Sequence, residues 1–163
     1  MPDQVDRIIE QWNTEKPKLD VSPMAVIGRL SRTALAVESR LAKTFAEHGL
    51  DAASFDVLAT LLRSGAPYRI TPLKLAREAM ISTSAVAQRL NKLESRGFVV
   101  RGANPDDGRG TLVALTDRGR DLIETALPDH LETERAITAA LSSGEQAALA
   151  ELLQRLSTAA SDC

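Results

Sequence analysis

From Thr71 to Thr116, apolar spacing, turn residues and charge follow one another in an order that few folds accommodate. A short helix-forming run, TPLKLAREA, passes through Met80 and Ile81 into STSAVAQRLNKLESRG, whose Val86, Leu90 and Leu93 recur at helical spacing. An apolar strand (FVV) follows, then a polar Gly/Asp loop (RGANPDDGRG) and a strand that returns toward a new helix (TLVALTDRGRDLI). A chain that only had to fill a core has little use for a serine-rich helix start, a basic helix and a charged hairpin tip in succession. A chain that grips a duplex needs all three. The plan is that of a winged helix-turn-helix: mainly α, with a small β-hairpin wing and further helices at both chain ends.

The second helix of this stretch is the one expected to enter a groove. With Val86, Leu90 and Leu93 facing inward, Ser84, Gln88, Asn91, Lys92 and Ser95 gather on the opposite face. Amide side chains pair with adenine edges, a lysine with guanine or phosphate, and serines with either. The start, Ser82-Thr83-Ser84, also offers free backbone N–H groups to a phosphate. Taken alone, this helix reads equally well as a solvated face, and the hairpin behind it shifts the balance. Arg101 and Arg109 bracket its loop, and Asp106, Asp107, Gly108 and Gly110 form the tip. An arginine at the end of a thin ribbon reaches a minor groove, and Asp107, two positions earlier, is placed to accept its N–H groups.

Around this module the periodicity predicts helices. Val5, Ile8, Ile9 and Trp12 follow Asp3 at helical spacing and stop before Pro17. Ser22-Pro23 opens a helix to about His48, with Ile27, Leu30, Ala34, Val37, Leu41 and Phe45 in one stripe, ended by Gly49. A third begins at Asp51 or Ser54 and ends at Ser64-Gly65. A long helix from Asp117 to Leu141 is expected to break or kink at Pro128, and Ser142 to Glu145 starts a last one with Leu149, Leu152, Leu153 and Leu156 on its apolar face. Three regions result: residues 1–50, N-terminal helices for dimerisation and for covering a ligand site; 51–116, the DNA-binding region; and 117–163, C-terminal dimerisation helices. Two amphipathic ends so far apart have little else to cover them than a second copy of the chain, although a monomer that completes its own core uses the same pattern.

Composition narrows the function by exclusion. The net charge is only −2, so duplex binding rests on local clustering and not on bulk charge. Apolar runs are far shorter than a membrane span and the start lacks a secretion signal, so a cytoplasmic protein without membrane contact is expected. The one cysteine, Cys163, excludes an internal disulfide and a multi-cysteine metal site. Neither histidine, His48 or His130, has a metal-ligand or catalytic spacing around it, and neither a Gly-rich phosphate loop nor a nucleophile elbow is present. An enzyme is therefore not expected, nor any cofactor or metal. The rival from another class is a winged helix that docks proteins, which would show no salt-dependent duplex binding.

The residues from about Leu30 to Gly119 resemble the MarR family of bacterial transcription regulators. The most specific match is in the wing, where the family's Asp-Pro-x-Asp-Arg-Arg followed by Leu-Thr-x-x-Gly reads Asn104-Pro105-Asp106-Asp107-Gly108-Arg109 and then Leu115-Thr116-Asp117-Arg118-Gly119. Asp107 and Arg109 keep the family's wing-tip pair, while Gly108 replaces its first arginine. The resemblance implies a homodimer on a pseudo-palindromic operator, acting by default as a repressor. A peroxide sensor of this family would need a reactive cysteine in the first helices, and none is there.

The first helix with Trp12, the KPKLDVSPMAVIGRL connection and the run SFDVLATLLRSGAPYRITPLKLA are similar to the branch of the family that responds to urate and related purines. That resemblance implies a ligand site built from Trp12, Asp56, Arg89 and Arg101. Helical geometry adds one independent point: Arg89 lies about 60° from the centre of the apolar stripe and so leans toward the body of the lobe. A guanidinium held there needs a partner, and Asp56 is the expected one. Within the same family, a phenolic or other small aromatic acid is the alternative ligand.

Overall fold

In the computed structural model, residues 2–79, 83–104 and 110–161 are described. The sequence expectations for Ser82, Asp107 and Arg109, and for the side chain of Thr83, lie outside the described residues. Two compact units divide the chain, Met1–Ala42 and Lys43–Cys163.

The first unit contains α1 (Gln4–Glu15) and most of α2 (Pro23–Glu47). Asp3 opens α1 through a capping box, accepting the N–H groups of Val5 and Asp6, while Asp6 reaches back to the N–H of Asp3. Arg29 of α2 then binds both carboxylates, donating from Nε to Asp3 Oδ2 at 2.8 Å and from Nη2 to Asp6 Oδ1 at 2.6 Å. The pairs are exposed and contribute little each. Their effect is to fix how α1 lies along α2, and on that side Val5 is buried.

The second unit is assembled on α3 (Ala52–Arg63), whose Val57, Leu58 and Leu61 are fully buried. Against α3 pack α4 (Pro72–Glu78), α5 (Thr83–Ser95), α6 (Asp117–Thr138) and a small antiparallel sheet. Gly49, at φ +67, ends α2 in the left-handed conformation that a glycine adopts without penalty, and Asp51 restarts the chain as the N-cap of α3. Thr71 caps α4 and Pro72 occupies its first turn, where a missing N–H costs nothing. Leu75, Val86, Leu90, Leu93, Val99, Val113, Ile123 and Ala126 are among the other side chains of the buried core.

Three strands form the sheet, in the order β1 (Arg69–Ile70), β3 (Thr111–Leu115), β2 (Val99–Ala103). The hairpin of β2 and β3 pairs Val99 with Leu115 through Ala103 with Thr111, as the wing requires. Strand β1 was not expected from the sequence: two residues are too few for a period-2 pattern, and they pair only with Ala114 and Val113. Gly119 lets the first turn of α6 lie against the start of β2, since a Cβ there would sit 1.9 Å from the carbonyl oxygen of Phe98.

Helix α6 runs through Pro128 without the interruption that was one of the two sequence expectations there, and ends at Thr138, short of the expected Leu141. Its middle is tied to the end of α2 within this unit. Thr44 and Thr133 share a hydrogen bond of 2.8 Å, His48 meets Asp129 at 2.9 Å, and His130 packs on Phe45 and Phe55 with ring centres 5.5 and 4.6 Å away. Helix α7 (Ser143–Ser161), opened by reciprocal Ser142 and Glu145 hydrogen bonds, has no buried residue.

Candidate nucleic-acid interface and ligand residues

The helix α5 divides into faces that the sequence spacing anticipates. Val86, Leu90 and Leu93 are buried to within 2% of full burial, and Ser84, Gln88, Asn91, Lys92 and Ser95 are exposed. Ser95 returns its hydroxyl to the carbonyl of Lys92, at 2.9 Å, while Gln88 is exposed on the open face and Asn91, also exposed, has its Oδ1 engaged by Arg101.

Between the buried and open faces lie two flanks, and each is held by ionic hydrogen bonds. On one, Arg89 Nη1 donates to Asp51 Oδ2 at 2.9 Å and Lys92 Nζ donates to the same oxygen at 2.8 Å. On the other, Arg101 of β2 donates from Nη2 to Asn91 Oδ1 at 2.6 Å, gives its backbone N–H to Glu94 at 3.1 Å, and sets its guanidinium 3.6 Å from the same carboxylate. With about 100° of rotation per residue, the Arg89/Lys92 pair and the Asn91/Glu94 pair are centred about 160° apart. The recognition helix is thus gripped on both sides, by the α3 N-cap and by the wing.

Asp51 is a busy carboxylate. Partial burial pushes its pKa up, but the Lys92 ammonium, the Ser54 N–H on Oδ1 and the Arg89 charge outweigh that and hold it at about 2. It therefore stays ionised at any physiological pH.

Of the four residues implied as a ligand site, Arg89 departs from the expectation in its partner. Arg89 meets Asp51 and not Asp56, because Asp51 stands at the end of α3 beside the Arg89/Lys92 flank, whereas Asp56, one turn further along α3, has its carboxylate 3.8 Å from Arg63. Arg101 lies on the opposite flank from Arg89. Trp12, 40% exposed, belongs to α1 of the first unit. The Nε of Arg89 is buried without a hydrogen-bond partner. Arg101 lines a cavity of about 470 Å³ with Pro72, Leu73, Val86, Leu90, Asn91 and Thr111.

Sequence reasoning missed Asp51 and Glu94, the acids that hold the two flanks. Asp51 was legible only as a helix start. Nothing in the spacing between residues 51 and 89 signals that a loop brings them together.

A helix-turn-helix with this sheet and this exposed amide face is the arrangement of a DNA reader, and comparison with known proteins decides which. The MarR family pattern matches residues 48–110. A relative from Dickeya dadantii (strain 3937), the HTH-type transcriptional regulator PecS, is 42% identical over 153 residues, covering 94% of this chain and 92% of its own. The chain belongs to the MarR family. Its three-dimensional likeness extends to a mutant MarR from E. coli complexed with operator DNA, with a TM-score of 0.71 and 27% identity over 89% of this chain and 96% of that one. It also extends to Bordetella bronchiseptica BpsR, whose DNA binding is regulated by 6-hydroxynicotinic acid, with a TM-score of 0.73 and 26% identity over 81% and 92%. As a MarR-family member, the protein is a DNA-binding transcriptional regulator with a winged helix on the described fold.

Proposed function

We propose that this regulator represses from a pseudo-palindromic operator and is released by a small planar anion, urate or a related purine. In this reading Gln88, Asn91, Lys92 and the serines Ser84 and Ser95 face the major groove, the Ser82-Thr83 helix start meets a phosphate, and Arg109, oriented by Asp107, enters the minor groove. The observation that carries the ligand half is the Arg89 guanidinium, two-thirds shielded, with Nε buried and unpartnered. A buried cationic donor without an acceptor is costly, and a deprotonated heterocycle supplies one. Asp56 and Arg101 are taken as contributors, and the part of Trp12 rests on the sequence resemblance alone.

Arg89 and Arg101 both hold the recognition helix, so an anion bound by either has different contacts in the DNA-ready and DNA-incompatible forms. Such differential affinity is what an inducer requires. We expect urate to weaken operator binding by a coupling of about 1–3 kcal/mol, and Arg89→Ala to lose the ligand response more completely than DNA binding.

The Arg101 cavity favours a second reading, an aromatic acid as ligand. Its apolar walls and single guanidinium suit a ring bearing one carboxylate, its volume is in the range of small-molecule sites, and the DNA binding of BpsR responds to such an acid. Gel-shift titration with urate, xanthine and 6-hydroxynicotinic acid separates the two. If Arg101→Ala abolishes the response while Arg89→Ala keeps it, the second reading holds. If calorimetry detects none of the three ligands, the general regulator remains and the ligand proposal falls.

A further inference from the structure

One acid in the second unit has two tasks that pull on different helices. Asp51 Oδ1 accepts the Ser54 N–H and so begins α3, while Oδ2 takes Arg89 Nη1 and Lys92 Nζ, the cations one turn apart on α5. We infer that Asp51 is a specificity-determining positioning residue for DNA binding: through Arg89 and Lys92 it sets the rotation of the recognition helix about its own axis, and it withholds the Lys92 ammonium from indiscriminate phosphate contact.

The reason is geometric. A helix held only by its buried stripe can roll, because apolar packing is not directional. Roll is resisted by contacts on the flanks, and here one flank is held by Asp51 and the other by Arg101. Base readout depends on that roll. Gln88 must present its amide to base edges in a fixed orientation, and so must Asn91 with the NH2 group that its Oδ1 bond to Arg101 leaves over, whereas a phosphate accepts a cation from many directions. The sharing of a single oxygen matters as well. With donors at 2.9 and 2.8 Å, Oδ2 cancels charge at the border of the open face, where the exposed Lys92 ammonium is otherwise free to add sequence-independent affinity.

Removing the negative charge thus acts in opposite directions on the two kinds of binding, which a merely structural role does not do. Asp51→Asn keeps an oxygen for the Ser54 N–H, since asparagine caps helices as well as aspartate. The probes are a duplex selected from a randomised pool by the parent protein and an unselected random duplex of equal length, with no small ligand added. We expect the ratio of selected to unselected affinity to fall at least about tenfold, a change of about 1.4 kcal/mol. On the unselected duplex the plot of log affinity against log salt becomes steeper by at least about 0.9, the increment for one further phosphate contact. Lys92→Gln in the same background removes part of that extra slope. Asp51→Ser also caps, gives the same pattern, and stands in should the amide variant not fold. Equal losses on both duplexes, or an unchanged salt slope, overturn the inference.

Discussion

At the scale of single residues, placement decides what a side chain is worth. Gly119 leaves no room for a methyl group, because the carbonyl oxygen it would strike belongs to backbone at the start of β2 and cannot rotate away. Gly119→Ala should cost about 3 kcal/mol or more, measured by urea unfolding, as overpacking at the limit of what a core tolerates. Asp51 offers a test by pH. Its folded-state pKa, about 2, lies below the ordinary 3.8, so its ionic contribution is fully present above about pH 5 and is lost as pH falls through the folded value. The stability difference between the parent protein and Asp51→Asn should therefore be constant from neutral pH to about 5 and shrink toward pH 2.

Elements were legible wherever a local rule sufficed. Asp3, Asp51, Thr71 and Thr116 each accept a backbone N–H at the start of a helix, so the sequence marked those starts, and Thr71→Ala should cost about 1 kcal/mol and loosen α4. The buried stripe of α5 also followed from spacing. What local rules could not reach was pairing between distant segments: β1 is defined only by its two partners on β3, and Arg89 chose Asp51 over Asp56 because of where the turn around Gly49 puts the α3 N-terminus. Pro128 does not interrupt α6, for a similar reason. Packing of α6 on α3 and the ties to the end of α2 hold the helix together across one missing N–H. The wing tip remains a matter of sequence, and its test is direct: Arg109→Ala should weaken operator binding at least about tenfold, and Asp107→Ala less, in a fluorescence anisotropy titration.

For the molecule as a whole, the apolar side chains without cover are the clearest demand. Leu149, Leu152 and Leu153 are 43%, 57% and 40% exposed on a helix that buries nothing, and Val26, Ile27 and Leu35 of α2 are exposed by half or more. Homodimers are typical of MarR regulators, and we propose that a second copy of the chain covers these faces. Leu152→Glu with Leu153→Glu should shift sedimentation from dimer to monomer and lower operator affinity at least about tenfold. The border between the two units also has a practical meaning. It falls between Ala42 and Lys43, inside α2, where every peptide group belongs to a continuous helix and there is no linker to cut. Proteases that nick exposed loops should leave that bond intact. Hybrid regulators that exchange the amino-terminal portion between relatives will have to be spliced at the turn around Gly49, where the chain already changes direction.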